Sequence, residues 1–199
     1  MDKYDIKKDR RDLYAPSSRD FSEVDVPPLH YLAIDGHGDP NTSAEYRAAI
    51  EALFPVAYAL KFASKAHGRD FVVGPLEGLW WADDPSAFVS RDKSSWDWTM
   101  MIVQPSWVTE EMVETAMEQK NVAGLRLLSL DEGRSVQILH LGSYDDETPT
   151  LTRLHDQWMP EHGLTFNGHH HEIYLSDARR TAPAKLKTVL RQPVKSLAH

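Results

Sequence analysis

The sequence predicts an α+β fold of two pseudo-symmetric strand-helix-strand-strand modules, and three observations point to it. The element order strand, helix, strand, strand occurs twice along the chain. A turn holding a glycine, an acidic residue and a proline precedes each helix, first over Gly36–Pro40 and again over Gly142–Pro149. Each half is too small to bury its own sheet, so the two are expected to share a core and to leave a ligand cleft between them. The corresponding division is an N-terminal arm over 1–20 and one domain over 21–199. The domain consists of a half-repeat over 21–107, a linking helix over 108–121 and a half-repeat over 122–199.

The arm is polar, poorly periodic and long enough for a short helix. From Phe21 apolar residues gather around Pro27 and Pro28 and run through Tyr31 to Ile34, a strand that enters the glycine-rich turn. Asn41, Thr42 or Ser43 then caps a helix with Glu45 in its first turn. Its apolar stripe runs from Ala49 to Phe62, and Pro55 either kinks the helix or splits it in two. Phe71–Trp81 and Trp96–Val103 read as strands joined by a polar loop over 82–95. Thr109 starts the linking helix. In the second half, Leu125–Leu130 and Ser135–Leu141 flank a four-residue turn and read as a hairpin. A helix over Pro149–Glu161 ends at His162 and Gly163, and strands over Gly168–Leu175 and Leu186–Gln192 complete the cycle.

Composition narrows the function. The 199 residues contain no cysteine, which removes disulfides, thiolate catalysis and cysteine-built metal sites and suits a reducing, cytoplasmic setting. The first residues have no apolar core of a signal peptide, and no apolar run reaches membrane-spanning length, so no membrane partner is expected. A formal charge of −8 repels phosphate backbones, and the basic residues between Arg179 and Lys195 have no aromatic platform among them, so nucleic acid is not an expected partner. The expected partner is a small aromatic molecule bound by a monomer or homodimer.

The chemistry-bearing residues centre on two mid-strand carboxylates, Glu77 and Glu172, at corresponding places in the two halves. Side-chain alternation puts His170, Glu172 and Tyr174 on one face, expected to look into the cleft while Ile173 and Leu175 meet the helices. Glu77, Leu79 and Trp81 share a face by the same rule. Four of the six tryptophans, Trp80, Trp81, Trp96 and Trp98, lie within nineteen residues. One of Trp80 and Trp81 packs inward and the other faces the cleft, and Trp96 and Trp98 share a face. With Tyr144 and Tyr174 they make a cage for a planar or cationic ring. The run His169, His170, His171 alternates across its strand and cannot converge on one ion, so neither a metal nor another cofactor is expected.

Three stretches carry a family resemblance: Pro75–Trp81, His170–Asp177 and Arg179–Val194. They are similar to those of GyrI-like small-molecule-binding proteins, in particular the stand-alone branch without a helix-turn-helix, over the span from Val24 to the C-terminus. The resemblance implies two such modules (the SHS2 unit) in a multidrug-binding-domain-like fold with a central groove, and a buried glutamate for cationic aromatic drugs, matched by Glu172. The paired Trp80 and Trp81 and the run from Glu172 to Arg180 look like the cyclopropanoid cyclopropyl hydrolases, which open the strained ring of DNA-alkylating natural products. On that footing Trp81, Trp98 and Tyr174 sandwich the alkylating unit, with Trp80, Glu77 and His170 also contacting ligand. Tyr144 donates to the oxygen that becomes phenolate, and Glu172 orients or deprotonates the attacking water. The competing expectations are a protein that sequesters aromatics unchanged and an adaptor that touches a protein target, as the family's gyrase-inhibitory namesake does.

Overall fold

A computed structural model describes residues 3–83 and 92–197; positions 84–91 of the expected 82–95 loop lie outside the described residues. The chain forms two compact units, each assembled from two stretches of sequence: residues up to Asp9 with Pro28–Leu130, and Arg10–Pro27 with the residues from Asp131 onward. Among the described residues no helix is long and apolar enough to cross a membrane.

The first unit holds helix α1 (Ile6–Asp9), strand β2 (Leu29–His37), helix α3 (Ala44–Ala66) and strands β3 (Leu76–Trp81) and β4 (Asp97–Gln104). Helix α4 (Glu110–Lys120) and strand β5 (Arg126–Leu130) follow. The antiparallel strands lie in the order β5-β2-β4-β3. Ser43 proves to be the cap of α3, its hydroxyl accepting from the Tyr46 amide at 3.2 Å. The helix runs unbroken through Pro55, which is exposed, as is Glu51 four residues back, so the proline falls on the helix's solvent side. Ala49, Leu53, Val56, Ala57 and Leu60 form its buried stripe at helical spacing.

Strands β2 and β4 pack tightly at Gly36. Gly36 pairs with Trp98 across β2 and β4, and the indole lies where a side chain at 36 would project: a Cβ there would come within 2.0 Å of the ring.

The second unit holds helix α2 (Arg11–Tyr14), strand β1 (Ser22–Val26), strand β6 (Gly133–Leu141) and a helical run. That run comprises α5 (Thr148–Thr152), a π-helical segment (Arg153–Trp158) and α6 (Met159–Glu161). Strands β7 (Leu164–Phe166), β8 (His170–Tyr174) and β9 (Lys187–Ser196) follow. The antiparallel order is β1-β6-β9-β8, with β7 on the far end of β9. Pro160 has no amide hydrogen to give the carbonyl four residues back, and just before it the amide of Met159 bonds five residues back, to Leu154.

The expected hairpin between Leu125–Leu130 and Ser135–Leu141 does not form: β5 pairs with β2, and β6 with β1 and β9. The short strand ahead of each module thus joins the sheet of the other unit. A two-residue connection permits a hairpin but does not choose the partner, and here apolar pairs such as Leu127 with Leu32 are available elsewhere.

One face of the second sheet packs Val136 and Val194 against Leu154 and Met159 of the helical run. The opposite face is closed by the arm, where a fully buried guanidinium stands at the centre. Arg191 reaches the Leu13 carbonyl at 2.8 Å, the Gln137 side chain at 3.1 and 3.2 Å, and Glu132 at 3.3 Å. Gln137 donates to the Asp12 carbonyl at 2.6 Å, and His171 Nδ1 lies 3.0 Å from each Glu132 oxygen. Burial alone pushes the Glu132 carboxyl up; the charge and hydrogen bond of His171, then those of Arg191, outweigh it and hold it at about 2.

Two outcomes follow from these packings. Gly36→Ala should destabilise the protein by about 1–3 kcal/mol through overpacking against Trp98, read as a lower urea midpoint at unchanged slope. Glu132 contributes stability that is complete above the ordinary carboxyl value of 4.5 and is lost as pH falls through about 2. Glu132→Gln should cost about 3–5 kcal/mol at neutral pH and flatten the stability profile between those two values.

Candidate functional site

The candidate site lies in the second unit, where β8 passes beneath the helical run. Strand register decides which side chains face it. Val136 stands opposite Gln192, and Glu172 stands opposite Leu190 on the same side of β9 as Val194. Since Val136 and Val194 pack on Leu154 and Met159, Glu172 faces the helices. His170 and Tyr174 share that side, as alternation predicted. The expectation that Ile173 would meet the helices is reversed: Ile173 and His171 lie on the face closed by the arm and Arg191. Alternation tells which residues travel together, whereas the face they meet depends on what covers each side. Glu132 satisfies His171 on that face, and Arg191 ties Glu132 and the arm together there.

Glu172 is the centre of the cluster. Tyr174 donates its hydroxyl to Glu172 Oε2 at 2.7 Å, and His170 Nε2 lies 3.2 Å from Oε1. Burial pushes the Glu172 carboxyl up, but the His170 contact, then Tyr174 and Glu147, overcome it and leave it below its ordinary value. The result is an ionised carboxylate with both oxygens engaged.

The turn after β6 supplies the second wall. Residues Tyr144–Glu147 form a single 3-10 turn, in which positions three apart eclipse, so Tyr144 and Glu147 project to the same side. The Tyr144 ring meets Tyr174 edge-on at 5.7 Å between centroids and is 40% exposed, whereas Glu147 is 5% exposed. Burial, followed by the charges of Glu172, Glu147 and Asp177, pushes the Tyr144 phenol up to about 12, so it remains a hydrogen-bond donor at physiological pH.

The helical run contributes His155 from its π-helical segment. Its ring lies 5.0 Å from Phe166 and 6.5 Å from His170, and burial, with His170 adding to it, pulls it down to about 4. His155 Nε2 and His170 Nδ1 are both buried without a hydrogen-bond partner. Orphaned buried nitrogens are uncommon in folded proteins and mark a place where a ligand or water group is wanted. Among the described residues no group of three or more histidine or acidic side chains is placed to hold a metal ion.

The first unit carries the remaining expected residues, divided by sheet face. Trp80 and Trp98 are cross-strand partners on the α3 side, where Tyr46 meets them at 6.0 and 5.3 Å. Trp98 is 0% exposed and donates its indole N–H to the Gly38 carbonyl at 3.3 Å; it is a core residue, and so, nearly, is Trp80. The strand pairing that gathers these two indoles, both expected to contact ligand, also seats them on the α3 side of the sheet. Trp81, half-buried, and Glu77, 0% exposed, share the opposite face. Glu77 therefore sits on the face away from its helix and Glu172 on the face toward its own, so the two acids are not equivalent.

Glu147 and His155 are the residues that sequence reading missed. Glu147 closes an acidic run, Asp145, Asp146, Glu147, that resembles any solvated helix start; its only signal is the three-residue spacing from Tyr144. His155 could be placed on the apolar side of its helix, but not its contact with a distant strand. In a spectrophotometric titration the Tyr144 phenol should ionise late, near pH 12, and that component should be absent from Tyr144→Phe; a Tyr144 ionising near 10 would contradict the geometry.

The model of the GyrI-like small molecule binding domain family matches residues 19–195. Among solved structures, an uncharacterised conserved protein from Listeria innocua is 37% identical, with a TM-score of 0.88 over 97% of this chain and 100% of its own. A hydrolase from Listeria innocua is likewise 37% identical, with a TM-score of 0.87 over 98% of this chain and 100% of its own. The EcmrR C-terminal domain shares the fold at 13% identity and a TM-score of 0.58, over 89% of this chain and 98% of its own. No curated protein matches this chain. With a family match over nearly its whole length and a fold that agrees, the chain belongs to the GyrI-like small molecule binding domain family.

Proposed function

We propose that this protein binds flat aromatic or cationic small molecules and hydrolyses cyclopropane-bearing alkylating agents by adding water across the strained ring. The observation that carries the reading is the Glu172 carboxylate beside the Tyr144 phenol, an anion and a persistent hydrogen-bond donor framed by aromatic rings. The family match and the full-length likeness to a hydrolase at 37% identity support it.

In this mechanism the flat ring system lies against Tyr144 and Tyr174. Glu172 orients a water toward the cyclopropane carbon, and the electron pair of the breaking C–C bond flows into the conjugated ring. The carbonyl oxygen of the substrate becomes phenolate, and Tyr144, already poised to donate, stabilises that charge as it forms. Relief of ring strain supplies driving force, so positioning and one well-placed donor suffice. His170 holds the Glu172 carboxylate in place.

A second reading has its own support. A carboxylate held below its ordinary pKa by its neighbours is a weak base and a good anchor for a cation. On that reading the protein sequesters cationic aromatics unchanged.

The two readings separate in one experiment. Incubation with a cyclopropane-bearing alkylator should give a product heavier by one water, seen by mass spectrometry. Glu172→Gln should keep affinity within a few-fold while turnover falls by about 100-fold or more. An unchanged compound mass, with a Glu172→Gln variant that loses affinity for cationic aromatics, establishes sequestration instead.

A further inference from the structure

The first unit holds a cavity of about 160 Å3 where the start of the arm lies over the beginning of β2 and the end of β4. Its walls follow from local pairing. The Tyr4 amide donates to the Asp70 carbonyl at 3.1 Å and the Val72 amide to the Tyr4 carbonyl at 2.8 Å, which fixes the arm beside the segment after α3. Tyr4 and Ile6 thereby form one wall. Trp107, in the connection between β4 and α4, forms another. Tyr4 meets its ring edge-on at 5.6 Å, and its indole N–H donates to the Ser64 hydroxyl of α3 at 3.4 Å. With the N–H so engaged, Trp107 offers the cavity apolar ring surface.

The floor is polar. His30 and Gln104 are direct cross-strand partners on β2 and β4, so their side chains leave the same face of the sheet with Cβ atoms about 5 Å apart. Gln104 is 4% exposed and donates from Nε2 to the Ile102 carbonyl at 3.1 Å. A carbonyl accepts only from the nitrogen end of an amide, so the orientation of this side chain is determined and Oε1 is the atom left over. Gln104 Oε1 and His30 Nδ1 are both buried without a hydrogen-bond partner in the protein, and both residues line the cavity. Two neighbouring buried atoms in this condition point to one partner that serves both.

We infer that this cavity is a second small-molecule site, taking a neutral single-ring compound that carries a hydroxyl or N–H group. Size sets the ring count, since a protein cavity of about 150 Å3 accommodates benzene. Gln104 Oε1 can only accept, so the ligand must donate. A hydroxyl meets both atoms at once, its hydrogen going to Gln104 and its oxygen accepting from His30 Nδ1–H, while the ring lies against Trp107. Charge is disfavoured in either sign. Among the described residues no carboxylate, lysine or arginine lines the cavity, so an ion would be buried there without a counter-charge. The Arg69 guanidinium, 5.9 Å from the centre of the Trp107 ring, already occupies the cation-binding character of that indole. The inference is independent of the function read for Glu172, which concerns a different chemistry in the other unit.

Phenol is the probe, and toluene, of equal size but without a donor, is its control. Binding is followed by NMR on the full chain, with the Trp107 indole signal assigned through Trp107→Phe. Phenol should shift the Trp107 indole and Gln104 side-chain amide signals to saturation and give nuclear Overhauser contacts to the methyl groups of Ile6 and Leu29. Toluene should bind about 10-fold more weakly or worse. Gln104→Met removes the acceptor at nearly constant length, and His30→Phe removes the second polar atom; each should weaken phenol about 10-fold and leave toluene unchanged, with the remaining indole signals reporting an intact fold. Toluene binding as tightly as phenol would overturn the inference, and so would phenol contacts that omit Ile6 and Leu29. Shifts that rise linearly with phenol, without such contacts, would mean that water alone serves the two atoms and would overturn it too. Should either variant fail to fold, the comparison of phenol with toluene on the wild-type protein decides by itself.

Discussion

The second unit is organised around the burial of one charge. A guanidinium with no solvent exposure has to find partners for its N–H groups, and Arg191 finds them in Glu132, Gln137 and the main chain of the arm at Leu13. The cost of removing this cation from water is offset only while those partners stay in place. The network therefore fixes three things together: the arm against the sheet, the connection after β5 through Glu132, and β8 through His171. Had the arm been solvated, as its polar composition suggests, this face of the sheet would be open and Arg191 would have no reason to turn inward.

Closure of that face determines where the candidate chemistry lies. With His171 and Ile173 committed to the arm side, His170, Glu172 and Tyr174 necessarily meet the helical run, where Tyr144, Glu147 and His155 complete the cluster. A π-helical segment next to Pro160 carries His155 toward β8, an irregularity of the kind often found where a helix serves a site. The charge network held by the arm and the candidate carboxylate thus occupy opposite faces of one strand. The first maintains stability down to acidic pH, and the second presents a carboxylate to an aromatic surface.

Much of the site was legible from the sequence because strand alternation is a strict rule. Glu172, His170 and Tyr174 had to share a face, and Tyr144 came from the turn that recurs ahead of each helix. The tryptophans were less legible for a related reason. Counting them identified an aromatic cluster, but the register that sets Trp98 opposite both Trp80 and Gly36 turns that cluster toward Tyr46 on α3, leaving Trp81 on the other side. Glu147 gave almost no signal, since burial of one acid in a run of three is decided by the strand it meets.

The sequence by itself determined the main element types, the cap at Thr109, the doubled strand-helix-strand-strand order and the set of side chains that alternate together on β8, and it narrowed the α3 cap to Asn41, Thr42 or Ser43. These depend on neighbours within a few residues, so local rules suffice. Only the tertiary structure decided that β1 and β5 exchange units, that the arm covers one sheet face, and that Glu172 looks toward the helices. Those outcomes rest on contacts between residues tens to more than a hundred positions apart, such as the 178 that separate Leu13 from Arg191. Partner choice over such distances is settled by competition among whole packed arrangements, which no local pattern encodes.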